Sequence, residues 1–112
     1  MQYLVTGATG FVGGWIVDRA VAAGHQVRVL VRDASRIAGR PWLPSVDVAV
    51  GNILDRDAME RALTDIDVAY YLVHSMMTAD FQELDRRAAT TFVSASPSSL
   101  RRVIYLGGLV PP

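Results

Sequence analysis

Apolar residues along this chain fall into five short continuous runs, separated by stretches of helical or irregular spacing. Gln2–Thr6 (QYLVT) is the first run, and it reads as a strand ending at Gly7. From Gly10 to Ala23 the spacing becomes helical, with Val12, Ile16, Val17, Ala20 and Val21 on one side. Gly24 is placed to close that helix from a left-handed conformation. Val27–Val31 is a short β-branched run, expected as a strand buried on both faces. Asp33–Pro44 is broken by Gly39, Pro41 and Pro44 and reads as a loop with room for one helical turn. Val46–Val50 is a third strand, ended by Gly51. Asp55 is suited to cap a helix whose apolar side is Ala58, Met59, Ala62 and Leu63. Val68–Val73 is a fourth strand. Asp80 and Glu83 have the spacing of a capping box, opening a helix with Phe81, Leu84, Ala88 and Phe92 in register. Ser96-Pro97 stops it, and Val103–Leu106 is a fifth strand before Gly107-Gly108.

Strands alternate with helices, and the strands are continuously apolar rather than alternating. That combination predicts an α/β fold with a doubly wound parallel sheet of five strands, covered on both faces. The 112 residues make one domain, and 51% hydrophobic content is ample for its core. No apolar stretch approaches the ~20 residues of a membrane span; Tyr70–Met77 is the nearest and far too short.

Charge narrows the chemistry further. The 11 basic residues balance 11 acidic ones, so no general attraction to nucleic acid or anionic membrane is expected. Every basic residue is Arg. Without Lys, a Schiff base, a P-loop lysine and a Tyr/Lys acid–base pair are all excluded within this chain. The absence of Cys removes disulfides and thiolate metal sites, and no His/Asp/Glu spacing suggests a metal. The first basic residue is Arg19, so no charged segment precedes an apolar run, and a cytoplasmic setting is expected.

The candidate chemistry lies in Thr6-Gly7-Ala8-Thr9-Gly10-Phe11-Val12-Gly13, between the first strand and the first helix. In that position the glycines have a physical purpose. Gly7 permits a tight turn, Gly10 lets backbone approach a pyrophosphate, and Gly13 brings helix and sheet together. The helix start then offers unpaired N–H groups and the positive end of its dipole. Gly13 and Gly14 each cost a helix roughly 1 kcal/mol against Ala, so each calls for a compensating reason. Packing alone is the alternative explanation.

The Gly-x-x-Gly-x-x-Gly spacing after Thr6 resembles the short-chain dehydrogenase/reductase superfamily. TGATGFVG resembles its extended and atypical branches, which include the NmrA-like NAD(P)-binding proteins. Val29–Asp33, Gly51–Asp55, Tyr70–Met76 (YYLVHSM), Asp85–Ala89 (DRRAA) and Ile104–Leu109 (IYLGGL) extend the resemblance over almost the whole chain. It implies a Rossmann fold over residues 1–112, the amino-terminal part of a longer protein, and a dinucleotide cofactor. It also implies that Gly7, Thr9, Gly10, Phe11, Val12 and Gly13 lie at the pyrophosphate. Asn52 and Ile53 would lie at the adenine, with Leu72, Val73, His74 and Gly107 on the nicotinamide side. Asn52 stands where the family usually has an Asp meeting the adenine amino group, and its amide oxygen can accept the same bond.

Cofactor choice is expected at the end of the second strand. In extended family members the ribose-binding acid falls on Val31, which cannot accept a hydrogen bond, and the next residue is Arg32. Arg32 suits the 2′-phosphate of NADP, and Arg36 can add a second charge; NADP is favoured over NAD. Asp33 complicates this, because a small backbone shift would bring its carboxylate toward the ribose. The alternative is a solvated surface cluster of Arg32, Asp33 and Arg36.

No catalytic residue can be assigned. The family's Tyr-x-x-x-Lys pair is absent, and Gly107-Gly108 replaces its Ser near the fifth strand. The implied activity is hydride transfer to an unidentified organic substrate in the intact protein. The other reading is a non-catalytic NADP-binding redox sensor or scaffold. An exposed apolar edge on the fifth strand would favour a homodimer.

Overall fold

The first strand, β1 (Gln2–Thr6), lies at the centre of a five-stranded, wholly parallel sheet. The computed structural model describes residues 1–8, 11–72 and 79–106, with the side chains at 11, 72, 79–85, 88, 105 and 106 outside that description. After β1 come α1 (Phe11–Ala22), β2 (Gln26–Val31), 3-10 turns at Ala34–Ile37 and Leu43–Ser45, and β3 (Asp47–Val50). The chain continues through α2 (Arg56–Leu63), β4 (Val68–Leu72), α3 (Ala79–Ala95) and β5 (Arg102–Leu106). The strand order is β3-β2-β1-β4-β5. The direction of winding reverses beside β1, and the crevice this creates opens at the carboxyl ends of β1 and β4.

Strand alternation sorts the core into two layers. Leu4, Leu30, Ala69 and Tyr71 face α2 and α3, packing with Met59, Ala62, Leu63, Ile66, Phe92 and Ala95. The Tyr71 and Phe92 rings meet edge to face, 4.9 Å between centroids. Val5, Val27, Val29 and Val31 face the other side, packing with Ile16, Val17 and Ala20 of α1. On that side no α-helix follows β2. The loop to β3 instead lays Ile37 and Trp42 on the layer, 1% and 5% exposed. Each fully buried side chain of this size contributes about 1.5–3 kcal/mol.

The ends of α1 and α2 follow from their flanking residues. Gly24 (φ +87°) closes α1 as expected: its N–H bonds Val21 O, and His25 N–H bonds Ala20 O, a Schellman arrangement. Asp55 caps α2, accepting from Asp57 N–H at 3.0 Å. Arg28 donates to Ala62 O (2.9 Å) and Thr64 O (2.7 Å) at the other end of α2, and pairs with Asp47 at 2.9 Å.

Several expectations need correction. Val12 is 51% exposed rather than on the buried side of α1. At 100° per residue it lies about 40° from Ile16, at the margin of the buried arc of Ile16, Val17 and Ala20 and beside the exposed Arg19. Strand β2 begins at Gln26 and is not buried throughout, because Arg28 turns from the layer to cap α2. Strand β3 begins at Asp47, and none of its residues is fully buried, since it is a sheet edge. Asp80 is the second residue of α3, inside its first turn rather than at the cap. Strand β5 forms the opposite edge, with Val103 45% exposed. Among the described residues no helix is long and apolar enough to cross a membrane.

Candidate functional site

The glycine-rich turn leaves β1 at the carboxyl edge of the sheet. Thr6 is buried, and its hydroxyl donates to Tyr70 O at 3.3 Å, joining the end of β1 to the middle of β4. Gly7 then takes φ +76°, a conformation costly for any residue with a Cβ. Gly13, the third residue of α1, packs directly on that turn. A Cβ there would lie 2.7 Å from the Gly7 carbonyl carbon, nearer still to its oxygen, and 3.0 Å from Ala8 Cα. All of these obstacles are backbone, so the glycine is required by close approach of helix and turn. This is the compensating reason that the sequence demanded.

Gly14 has a different neighbour. A Cβ at that position would stand 3.0 Å from Arg40 Nη1 and 3.6 Å from Ala8 O. Arg40 comes from the loop after β2 and was not singled out from sequence. Its only advance signals were the second consecutive glycine and the recurrence of Arg at positions 32, 36 and 40.

The described members of the expected site fall at four places. Gly7, Val12 and Gly13 gather at the start of α1, together with the Phe11 backbone. Arg32 directly follows β2 and is exposed, and the pairing of Thr6 with Leu30 sets the ends of β1 and β2 side by side. Asn52 and Ile53 follow β3, one strand further out. The Leu72 backbone ends β4. Thr9, Gly10, Val73, His74 and Gly107 lie outside the described residues.

Two side-chain details bear on ligand choice. The Asp33 carboxylate caps the first 3-10 turn, one oxygen accepting from both Ser35 N–H (3.0 Å) and Ser35 Oγ (2.8 Å). Those bonds from the Ser35 hydroxyl and amide hold its pKa below the usual carboxylate value of 3.8. One oxygen of the acid that competed for the ribose is therefore engaged with its own turn, and its second oxygen takes no part in that cap. Asn52 Oδ1 accepts from Leu54 N–H at 2.9 Å, an Asx-turn before the Asp55 cap. An amide oxygen has two lone pairs, so this turn orients the remaining one. Ile53 is half-buried against the α2 layer.

The start of α1 carries no negative side chain among the described residues. Its first turn contains no acidic residue, and the preceding Gly10 has no side chain. Backbone N–H groups and a positive dipole end in such a setting suit a phosphate.

Comparison with known proteins decides the assignment. A family model described as NAD(P)H-binding matches residues 7–109. The chain belongs to that family. Among relatives of this NAD(P)H-binding chain is sterol demethylase protein B of Methylococcus capsulatus, 36% identical over 111 residues, covering 94% of this chain and 34% of that protein. Isoflavone reductase homolog P3 of Arabidopsis thaliana is 31% identical over 86 residues, covering 70% of this chain and 28% of that one. Relatives of the latter kind bear out the NmrA-like resemblance. Triphenylmethane reductase of Citrobacter sp., solved with NADP(H), shares the fold with a TM-score of 0.76 at 19% identity, over 94% of this chain and 37% of that one. The chain thus spans roughly a third of the length of the curated relatives it matches.

Proposed function

We propose that this chain is the NADP(H)-binding part of an atypical short-chain dehydrogenase/reductase, whose intact form transfers hydride to an organic substrate. The observation that carries the reading is the end of β2. There Val31 stands where a ribose-binding acid is expected, the exposed Arg32 follows it, and one oxygen of Asp33 is bonded to Ser35. Gly7, Thr9, Gly10, Phe11, Val12 and Gly13 would receive the pyrophosphate. Arg32 would pair with the 2′-phosphate, with Asn52 and Ile53 at the adenine, and Leu72, Val73, His74 and Gly107 beside the nicotinamide. The bound dinucleotide supplies the hydride; the residues of this chain bind and orient it. A charge-assisted contact from Arg32 contributes roughly 1.5–3 kcal/mol, on the order of ten- to 150-fold in affinity.

Calorimetric titration with NADPH and with NADH, on the wild type and Arg32→Ala, tests the reading. Tighter NADPH binding that Arg32→Ala abolishes is the expected result. Equal affinities in the wild type would refute the NADP assignment.

One observation favours a second reading, a non-catalytic NADP-binding sensor or scaffold: the 112 residues contain no Lys for a Tyr/Lys pair. Hydride transfer from NADPH by the intact protein to carbonyl or enone acceptors would decide for the enzyme.

A further inference from the structure

Helix α1 turns an apolar line outward as well as inward. At about 100° per residue, its buried residues Gly13, Gly14, Ile16, Val17 and Ala20 centre on one direction, and Trp15 and Ala22 lie about 180° from it. That outer line is ordinarily polar on a surface helix. Here it carries an indole 54% exposed and, one heptad on, an exposed alanine. Val12, itself half exposed, borders the line. Arg19 stacks on the Trp15 ring, 4.8 Å from its centroid, and so holds the indole at the surface.

Charge divides the two flanks of this line. Asp18 lies about 50° to one side and Arg19 about 50° to the other, at nearly the same height on the helix. Both are exposed, and among the described residues neither has an ion-pair partner in its own chain. An apolar axis with a carboxylate on one flank and a guanidinium on the other is complementary to a copy of itself, in one orientation only. In an antiparallel pair like flanks meet, so Asp18 faces the partner's Asp18. In a parallel pair opposite flanks meet, and each Asp18 faces the partner's Arg19.

We propose that the outer face of α1 docks a second copy of this chain, in a parallel two-fold dimer with Trp15 and Ala22 on the axis and Asp18–Arg19 ion pairs on both flanks. This surface is separate from the β5 edge, and it does not depend on the dinucleotide reading. The Trp15–Ala22 line points directly away from the sheet, so a segment packed on the sheet beside α1 would leave it exposed. The parallel arrangement places both glycine-rich turns at the same end of the dimer. One helix pair is a small interface of the weak, transient class, with Trp15 as its anchor.

Sedimentation equilibrium of the full chain tests the proposal, on the wild type, Asp18→Arg, Arg19→Asp, an equimolar mixture of those two, and Trp15→Ala. All three positions are exposed, so each variant is expected to fold, which thermal melting checks. The wild type is expected to show a monomer–dimer equilibrium that weakens as salt is raised. Each reversal sets like charges on facing flanks and should weaken the dimer roughly tenfold or more. The mixture should regain wild-type association, because the two reversals complement each other. Trp15→Ala should abolish association in every background. The proposal is overturned if the wild type stays monomeric at millimolar concentration, if the reversals leave its dimer unchanged, or if the mixture is as weak as its components. Should Arg19→Asp fail to fold, a dimer that survives both Asp18→Arg and Trp15→Ala overturns it.

Discussion

Helices α1 and α2 begin in opposite ways, and the contrast locates function. At α2 the chain satisfies its own helix start: Asp55 caps Asp57 N–H, and Asp57 sets a carboxylate in the first turn. The far end of α2 is equally complete, with Arg28 donating to the Ala62 and Thr64 carbonyls. Helix α1 is closed with the same care at its carboxyl end, through Gly24 and His25. Its amino end has no acid in the first turn, a glycine pressed onto Gly7, and an arginine beside Gly14. One helix is finished by its own side chains. The other has no acid in its first turn, and the proposed reading has an external anion complete it. A helix N-terminus suits a phosphate, and the chain belongs to an NAD(P)H-binding family, which is why the dinucleotide is proposed to bind there.

The largest way to break the contrast is Gly13→Ala. The new methyl meets the Gly7 and Ala8 backbone, which cannot give way, so a loss of about 3 kcal/mol is expected. Thermal melting should show this as a fall of roughly 12 °C, with nucleotide binding lost together with the turn. A melt within two degrees of the wild type would mean that the turn tolerates the displacement. Next in size is Arg32→Ala, which should weaken NADPH ten- to 150-fold in calorimetry and leave NADH alone. Asp55→Ala touches only the self-satisfied helix. Its removal costs about 1 kcal/mol in denaturant unfolding and should not move either nucleotide affinity. A change in the NADPH to NADH ratio in that variant would contradict the division between the two helices.

The smallest effect is expected at Asp33. Asparagine can keep the cap on Ser35 while removing a negative charge next to Arg32, so Asp33→Asn should raise the NADPH to NADH ratio a few-fold at low salt. Its pH dependence has a definite sign. The folded pKa lies below the ordinary value, so the cap's contribution is fully present above about pH 3.8 and is lost as pH falls through the depressed value. Acid titration of Asp33 by carboxyl NMR, wild type against Ser35→Ala, should show the midpoint moving upward in the variant.

Much of this architecture was legible because it is written locally. Apolar runs ending at Gly7 and Gly51 mark β1 and β3, Gly24 marks a helix end, and Asp55 marks a helix start; each acts within a few residues of itself. The family resemblance added an expected purpose for the glycine turn, and the NAD(P)H-binding family match is in line with it. What escaped is non-local. That Val46–Val50 would sit at an edge, with Val50 57% exposed, depends on strand order, which no periodicity encodes. The role of Arg28 at the end of α2 depends on a contact with carbonyls more than thirty positions away. Arg40 was passed over because its relation to Gly14 exists only once the loop is anchored by Ile37 and Trp42. Asp33 and Asn52 were read for a ligand, and both proved to have a local turn to hold as well.

The central claim is that the start of α1, and not that of α2, receives the dinucleotide. Backbone amide shifts followed by NMR during NADPH titration test it most directly. The account predicts that the N–H signals of Phe11–Gly14 move with saturation, while those of Asp57–Met59 stay in place. Nucleotide binding that leaves Phe11–Gly14 unmoved, or that shifts the two helix starts equally, would contradict it.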